Sequence, residues 1–191
     1  METEEGTDVV TATLTIIPKG KVGTGERKQM EVPYLPPGRK IATLETTKGE
    51  IRIELWEDEA PNTVTNFAYL ANTGKYDGVE FHRVLPGFMA QTGDVENKGG
   101  TGGPGYNIPA EFNKDLKHER GVVSMARAGH PDSAGSQFFI MFAASPHLDG
   151  QYAAFGKVIE GMDVVDSLNT GEPPSNPDKI QKARVESVPE K

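Results

Sequence analysis

A Pro86–Gly87 pair stands between two short apolar runs, and the stretch around it, residues 80–94, constrains the fold of this chain more than any other. A Pro-Gly pair between β-prone runs is typical of a tight turn that joins two antiparallel strands. In such a hairpin Arg83 precedes the turn and Phe88 follows it. A fixed cation beside an apolar surface is unusual in a core strand pair and indicates a binding site.

Short segments with an apolar period of two also occupy most of the chain after residue 40. The predicted strands cover 41–46, 50–56, 122–127, 137–142, 153–159 and 180–188, and the predicted helices cover 60–73 and 162–168. Because closing a sheet removes its exposed edges, this pattern favours a closed antiparallel barrel capped by two α-helices. The predicted fold class is therefore mainly β.

The first 39 residues have a different texture. Residues 9–17 alternate threonine with apolar residues, which predicts a half-buried strand. Residues 18–39 are rich in glycine, proline and lysine, which predicts an extended linker or arm. Because this part is too short to bury a core of its own, we expect an N-terminal extension over residues 1–39 and one domain over residues 40–191.

Composition excludes several classes of function. The net charge of −8 argues against a nucleic-acid partner, since binding to phosphates rests on lysine and arginine. The absence of cysteine excludes disulfides and thiol catalysis. No apolar run approaches the roughly 20 residues of a membrane span, and the acidic start lacks the pattern of a secretory signal. We therefore expect no membrane partner, and either a cytoplasmic protein or a mature chain without its signal.

One pattern suggests a ligand site but fails on its context, and the histidines form no such pattern. Residues 100–105 match the dinucleotide pattern G-x-G-x-x-G, but Pro104 and Pro109 interrupt the helix that this fingerprint requires, so nucleotide binding is rejected. The glycine-rich segment is then either a surface loop or a loop whose backbone approaches a ligand. The four histidines form no pair at metal-ligand spacing, and no metal site is expected.

Phe138 and Phe139 are neighbours within one predicted strand. Successive side chains of a strand point to opposite faces, so only one of the two rings can lie inside a barrel. The other faces outward beside Gln137. A ligand groove on the outer wall explains an apolar ring at that position.

Four segments together closely resemble the cyclophilins, a family of peptidyl-prolyl cis-trans isomerases. They are Phe81–Asp94, Gly100–Gly103, Ser124–Ala128 and Ser133–Ile140. The similarity extends from about Ile41 to Val188 and is greatest to the bacterial-type members. It implies a closed eight-stranded antiparallel β-barrel with a helix over each open end, a substrate groove on the outer wall, and an enzyme that needs no cofactor.

The resemblance also implies roles for individual residues. Arg83 matches the catalytic arginine of the family. The substrate-binding residues that it implies are Phe88, Met89, Phe139 and Leu148 around the proline ring, Gln91, Ala126, Arg127 and Ala128 as hydrogen-bonding groups for the peptide, Gly100 and Gln137 in the adjoining groove, and His147 and Tyr152 at the rim. The expected partners are proline-containing peptides and folding proteins, and the chain is expected to be a monomer.

Two positions depart from the best-known members, which have tryptophan where this chain has His147 and histidine where it has Tyr152. The tryptophan contributes to binding cyclosporin. Cyclosporin is therefore a candidate ligand whose affinity depends on this replacement. A second hypothesis for the whole chain is a proline-peptide-binding chaperone or scaffold with little catalysis, but the intact Arg83 and Gln91 favour the enzyme.

Overall fold

The computed structural model describes residues 10–190, which form twelve β-strands, two α-helices and one short 3₁₀ helix. The strands are β1 (Thr11–Pro18), β2 (Lys28–Pro33), β3 (Arg39–Thr46), β4 (Gly49–Leu55), β5 (Val79–Glu80), β6 (Arg83–Leu85), β7 (Met89–Thr92), β8 (Tyr106–Asn107), β9 (Val122–Met125), β10 (Phe138–Met141), β11 (Ala154–Glu160) and β12 (Lys179–Val188). The helices are α1 (Pro61–Asn72), the 3₁₀ helix (Pro146–Leu148) and α2 (Met162–Asp166). Within residues 10–190 no helix is both long enough and apolar enough to cross a membrane.

Nine strands form one antiparallel sheet in the order β5-β12-β3-β4-β11-β9-β10-β7-β6. Its two end strands, β5 and β6, are consecutive in the chain and are separated only by Phe81 and His82. The chain therefore bridges the two ends of the sheet by itself. The predicted mainly β, barrel-like fold is confirmed. The predicted count of eight strands is wrong, because the strand expected before the turn is interrupted at residues 81–82 and pairs with β12 on one side and β7 on the other.

The interior of this sheet is filled by apolar side chains from opposite walls. Phe67 of α1 packs against Phe138 of β10 and Phe155 of β11, with ring centroids 5.2 and 5.3 Å apart. Tyr76 joins the same cluster, and its hydroxyl donates a hydrogen bond to the Ser136 carbonyl (2.8 Å). Such tilted and edge-to-face ring pairs add to the stability gained from burial alone.

Helix α1 forms where the sequence predicts it, for identifiable reasons. Pro61 suits its first turn, and the carboxylate of Glu111 accepts hydrogen bonds from the amides of Asn62 (3.0 Å) and Thr63 (2.7 Å). This acid from a distant loop satisfies donors that the start of a helix leaves without partners. After residue 40, each predicted strand and helix is present with ends that differ by at most two residues.

The N-terminal part forms an antiparallel hairpin, β1–β2, that packs on the barrel. Leu14, Ile16 and Val32 form a small buried cluster between the hairpin and the barrel. The side chain of Asn62 bonds to both the amide and the carbonyl of Thr15, at 2.8 and 2.9 Å. Helix α1 thereby holds β1 in place.

The outcome for this region differs between its two predicted parts. The strand expected at 9–17 is confirmed from Thr11 onwards, and Val9 lies outside the described residues. The linker expected at 18–39 is wrong in part, because residues 28–33 form β2. Met30 and Val32 lie two apart and supply the apolar side of that strand, and this short alternation is concealed by the surrounding charges and prolines.

Candidate functional site

The strand registers place four predicted or neighbouring residues in one row across the sheet. Arg83 pairs with Gln91, Gln91 pairs with Phe139, and Phe139 pairs with Ser124. Directly paired residues share a face of the sheet. Phe138, the next residue along β10, lies in the interior cluster, so this row belongs to the outer face. The prediction that one of the two phenylalanines faces outward is confirmed, and Phe139 is that residue.

A cavity of about 160 Å³ opens on the outer face beside this row. It is lined by Arg83, Phe88, Met89, Gln91, Ala126, Arg127, Phe139, Leu148 and Tyr152. All of these residues are among those that the sequence analysis assigns to catalysis or substrate binding. The cavity, called here the small cavity, has room for one compact ring rather than for a drug-sized molecule.

Packing behind the small cavity fixes the position of its walls. Met89, Phe139 and Leu148 are buried in a second apolar cluster outside the barrel interior. The ring of Tyr152 meets that of Phe139 edge-on, with centroids 5.8 Å apart. On the other side, the imidazole of His118 stacks on Phe139 at 6.2 Å.

His118 connects two walls of the small cavity through hydrogen bonds. Its Nε2 lies 2.9 Å from Ser124 Oγ, and its Nδ1 lies 3.0 Å from Asp149 Oδ1. Ser124 pairs with Phe139 across the sheet, whereas Asp149 directly follows Leu148. Burial lowers the pKa of His118, although Asp149 acts in the opposite direction. The ring is therefore neutral near pH 7 and serves as a structural link.

Arg83 lies at the edge of the small cavity and is held by two side chains. Its Nε donates to Glu172 Oε2 (2.7 Å), and its Nη1 donates to Gln91 Oε1 (3.5 Å). The loop that carries Glu172 reaches this place through an isolated bridge between Val84 and Gly171. The Arg83 side chain keeps 37% of its surface exposed, so its charge is accessible to a ligand in the cavity.

A second and larger cavity, about 610 Å³ in volume, adjoins the small one and shares Gln91, Ala126 and Arg127 with it. We call it the large cavity. Gln137 forms part of its floor and donates through Nε2 to the carbonyls of Gly100 (2.8 Å) and Gly102 (3.0 Å). Gln91 Nε2 donates in turn to Gln137 Oε1 (2.9 Å), so hydrogen bonds connect the two cavities.

The glycine-rich loop of the large cavity is wrapped around the buried carboxylate of Asp94. This carboxylate accepts four backbone hydrogen bonds, from the amides of Glu96, Lys98, Gly100 and Gly102, at 2.9 to 3.0 Å. Burial raises the pKa of Asp94, but these four bonds together lower it below its ordinary value. The amides that would hold a phosphate in a nucleotide site are thus directed at the chain's own carboxylate, which agrees with rejecting nucleotide binding.

Close approach explains why two of these positions are glycine. A Cβ atom at Gly102 would lie 2.2 Å from Asp94 Oδ1. Gly100 has a φ of +100°, and a Cβ atom there would lie 2.9 Å from His82 Nε2. Of the two interpretations of the loop, the one in which its backbone lines a cavity agrees with this geometry.

The segment Ala126–Ala128 runs along both cavities. The amide of Ala126 donates to the Gln137 carbonyl (3.0 Å), and the amide of Ala128 donates to Ser133 Oγ (2.8 Å). Between them, the amide and carbonyl of Arg127 form no hydrogen bond to any other residue within 10–190. Both groups are available to pair with an extended peptide, as at the edge of a sheet.

Residues 41–187 match the family model for "Cyclophilin type peptidyl-prolyl cis-trans isomerase/CLD". The chain belongs to the cyclophilin family. This cyclophilin is 48% identical over 160 residues to the "Probable peptidyl-prolyl cis-trans isomerase" of Brucella suis biovar 1 (strain 1330), covering 75% of this chain and 81% of that protein. It is thus a peptidyl-prolyl cis-trans isomerase, and the predicted family and enzyme class are confirmed.

Solved structures support the same assignment. The crystal structure of a Cryptosporidium parvum cyclophilin-type isomerase superimposes with a TM-score of 0.74 at 31% identity, covering 79% of this chain and 99% of that one. A second structure of that protein, determined in the presence of the dipeptide Ala-Pro, gives a TM-score of 0.72 at 31% identity, covering 78% and 99%. The hairpin β1–β2 precedes the region that the family model matches.

His147 is the predicted site residue of this cyclophilin that lines neither cavity. It is exposed on the 3₁₀ helix, and its ring stacks on Phe88 with centroids 6.3 Å apart. His147 therefore packs against Phe88, which lines the small cavity. Gly100, Ala128 and Gln137 line the large cavity.

Sequence reasoning missed three polar residues that shape the site of this cyclophilin. Asp94 had a usable signal in the sequence, since an acid shortly before a run of glycines can accept hydrogen bonds from their amides. His118 and Glu172 had none, because each meets its partners only through tertiary contacts. Residues 10–190 contain no cluster of three or more potential metal ligands.

Proposed function

We propose that the small cavity binds the proline ring of an X-Pro peptide and that Arg83 accelerates rotation about the X-Pro bond. The observation that carries this proposal is the position of the Arg83 guanidinium at the edge of a cavity with apolar walls. The Cryptosporidium parvum relative, whose structure was determined with Ala-Pro present, supports the ligand class.

The chemistry requires no nucleophile and no proton transfer. Rotation about an amide bond costs about 18–20 kcal/mol because it breaks resonance. In the twisted transition state the proline nitrogen becomes pyramidal and regains a lone pair. A fixed cationic donor can bond to that lone pair only in the twisted state, so it stabilises the transition state more than the ground state.

Arginine suits this role because it stays charged and presents several donors. Glu172 and Gln91 hold the side chain of Arg83 from two directions, which reduces the reorganisation needed when a substrate binds. One charge-assisted hydrogen bond contributes roughly 1.5–3 kcal/mol, so other groups must supply the rest of the acceleration.

The walls of the small cavity supply the other contribution. Phe139, Met89 and Leu148 are held by packing, so the cavity can hold a proline ring while the preceding residue rotates. They also keep water away from the twisted amide. Arg127 and Gln91 also line the cavity and can form hydrogen bonds to the rest of the peptide.

The substrates in this proposal are proline-containing peptides and folding proteins, and the chain acts as a cytoplasmic monomer. Cell fractionation tests the location and sedimentation tests the oligomeric state. Cyclosporin remains a candidate ligand. Because His147 stacks on Phe88 and lines neither cavity, titration of the wild type and of His147→Trp with cyclosporin tests its influence on affinity.

An exchange experiment on a short Ala-Pro peptide tests the role of Arg83. We expect Arg83→Ala to lower kcat/KM by at least about tenfold, which corresponds to about 1.4 kcal/mol, with an unchanged melting temperature. Arg184→Ala is the matched control, since Arg184 forms an exposed pair with Glu45 (2.6 Å) and lines neither cavity. Unchanged turnover in Arg83→Ala would remove Arg83 from the mechanism.

A further inference from the structure

The large cavity has a wall that lies outside the region matched by the family model. Lys19 lines this cavity and belongs to the turn that follows β1. Its position is set by the chain on both sides, because Pro18 pairs with Tyr106 of β8, and the amide of Lys21 donates to the Pro18 carbonyl (3.0 Å). Tyr106 lines the same cavity, so the ladder places Lys19 at its rim.

The same hairpin also braces the loop on another side of the large cavity. Arg27 Nη2 donates to Asp132 Oδ2 (3.3 Å). A Cβ atom at Gly23 would lie 3.4 Å from His130 Nε2, so the hairpin turn lies against that ring. Ser133, which directly follows Asp132 in this loop, lines the cavity. Lys19 is therefore carried by a segment that is anchored at several points.

The charges around the large cavity differ from those of the whole chain. Lys19, Lys98 and Arg127 are the cations that line it, and Glu96 is the acid that lines it. With the Asp94 carboxylate under its loop, three positive charges stand against two negative ones, and the surplus is one. The chain as a whole has a net charge of −8. Lys98 Nζ lies 3.5 Å from Glu96 Oε2. The guanidinium of Arg127 donates to the carbonyls of Gln151, Ala128 and Gly129. Lys19 is therefore the lining cation that remains to attract an anion.

Peptide geometry connects this charge to substrate choice. The two cavities share Gln91, Ala126 and Arg127, so a peptide with its proline in the small cavity continues directly along the large one. An extended chain advances about 3.3 Å per residue, which brings a flanking side chain into the large cavity within two or three residues of the proline.

We propose that Lys19 is a specificity-determining residue that favours proline peptides with an acidic side chain two or three residues from the proline. This inference rests on the proposed function, because it requires the proline ring to occupy the small cavity. The hairpin β1–β2 is then part of the substrate site rather than a separate appendage.

Matched peptide pairs test the inference. Each pair carries Ala-Pro and differs only in Glu or Gln at one position, two or three residues before or after the proline. The measured quantity is the ratio of kcat/KM for the Glu peptide to that for the Gln peptide. For the wild type at low salt we expect a ratio of about two to five at one of these positions, the range of an exposed ion pair. Added 0.5 M NaCl should reduce it.

Variants of the hairpin separate Lys19 from general charge effects. We expect a ratio near one in Lys19→Gln and below one in Lys19→Glu. Lys28→Glu introduces the same charge change on β2 away from both cavities and should keep the wild-type ratio. The inference is overturned if the ratio is the same in the wild type and Lys19→Gln at every position, or if Lys28→Glu changes it as much as Lys19→Glu does. In that case isomerisation of the Gln peptides still upholds the proposed function. Failure to isomerise any peptide overturns both.

Discussion

The two cavities adjoin and share three lining residues, but they are built in different ways. Packed side chains from several strands and the 3₁₀ helix form the small cavity. The large cavity is lined in large part by the glycine-rich loop, which is organised by the single carboxylate of Asp94. The shape of the small cavity therefore depends on many side chains that each contribute in part, whereas the shape of the large one depends on one buried acid.

Replacement of the buried acid should have the largest effect. We expect Asp94→Ala to lower the free energy of unfolding by about 3–4 kcal/mol, because four amides of its loop lose a charged acceptor. Urea unfolding measures this loss. Asp77→Ala is the control, since within residues 10–190 the Asp77 carboxylate accepts one hydrogen bond, from the amide of Ala183 (3.2 Å). A loss below about 1 kcal/mol in Asp94→Ala would contradict a loop organised by this carboxylate.

Trimming a wall of the small cavity should have an intermediate effect. We expect Phe139→Leu to lower the free energy of unfolding by about 1–2 kcal/mol, because other side chains still support the wall. The kcat/KM for Ala-Pro peptides should fall about tenfold as the fit to the proline ring loosens. Urea unfolding and cis-trans exchange measurements on one preparation give both values. A stability loss as large as that of Asp94→Ala would break the distinction between the two cavities.

Acid should act on the large cavity through Asp94. The pKa of this carboxyl is lowered in the folded state, so its contribution to stability is present above the unfolded value of about 3.9 and is lost as pH falls through the lower folded value. We expect the wild-type free energy of unfolding to decrease below about pH 4 and the decrease to be smaller in Asp94→Asn. Equal pH slopes in the two proteins would assign the acid sensitivity to other carboxylates.

Removal of the acid that holds Arg83 should have the smallest effect. The Arg83–Glu172 pair is exposed, and such pairs contribute about 0.2–1 kcal/mol. We therefore expect Glu172→Gln to lower kcat/KM by about two- to threefold without changing stability. Glu160→Gln is the matched control, because Glu160 forms an exposed pair with Arg52 at 3.8 Å. A loss as large as that of Arg83→Ala would give Glu172 a greater role than orienting the cation.

The sequence predicts the fold well where local patterns decide it. The alternation in residues 41–56 and the proline at the start of α1 act over a few residues, and both elements form as expected. The break at Phe81 and His82 could not be predicted, since it depends on which distant strand each half pairs with. The hairpin strand β2 was missed because its two apolar residues find their partners on β1 and the barrel.

The candidate site was predictable mainly through the family resemblance. The residues around the small cavity form continuous motifs, so their roles could be assigned by position. Residues that act by support come from separate parts of the chain, as His118 and Glu172 do, and no spacing rule connects them to Phe139 or Arg83. Lys19 precedes the region of resemblance and became visible only when the hairpin was placed on the barrel.

The position of β12 in the sheet has a consequence for biosynthesis. This strand lies between β3 and β5. Because synthesis runs from the N-terminus, both of these strands are made long before β12. Until β12 arrives, both partners have unpaired edges, and such edges can pair with other chains. Contacts between strands so far apart in sequence also form slowly. This isomerase therefore needs two open strands to stay protected during its own synthesis, until β12 completes the sheet.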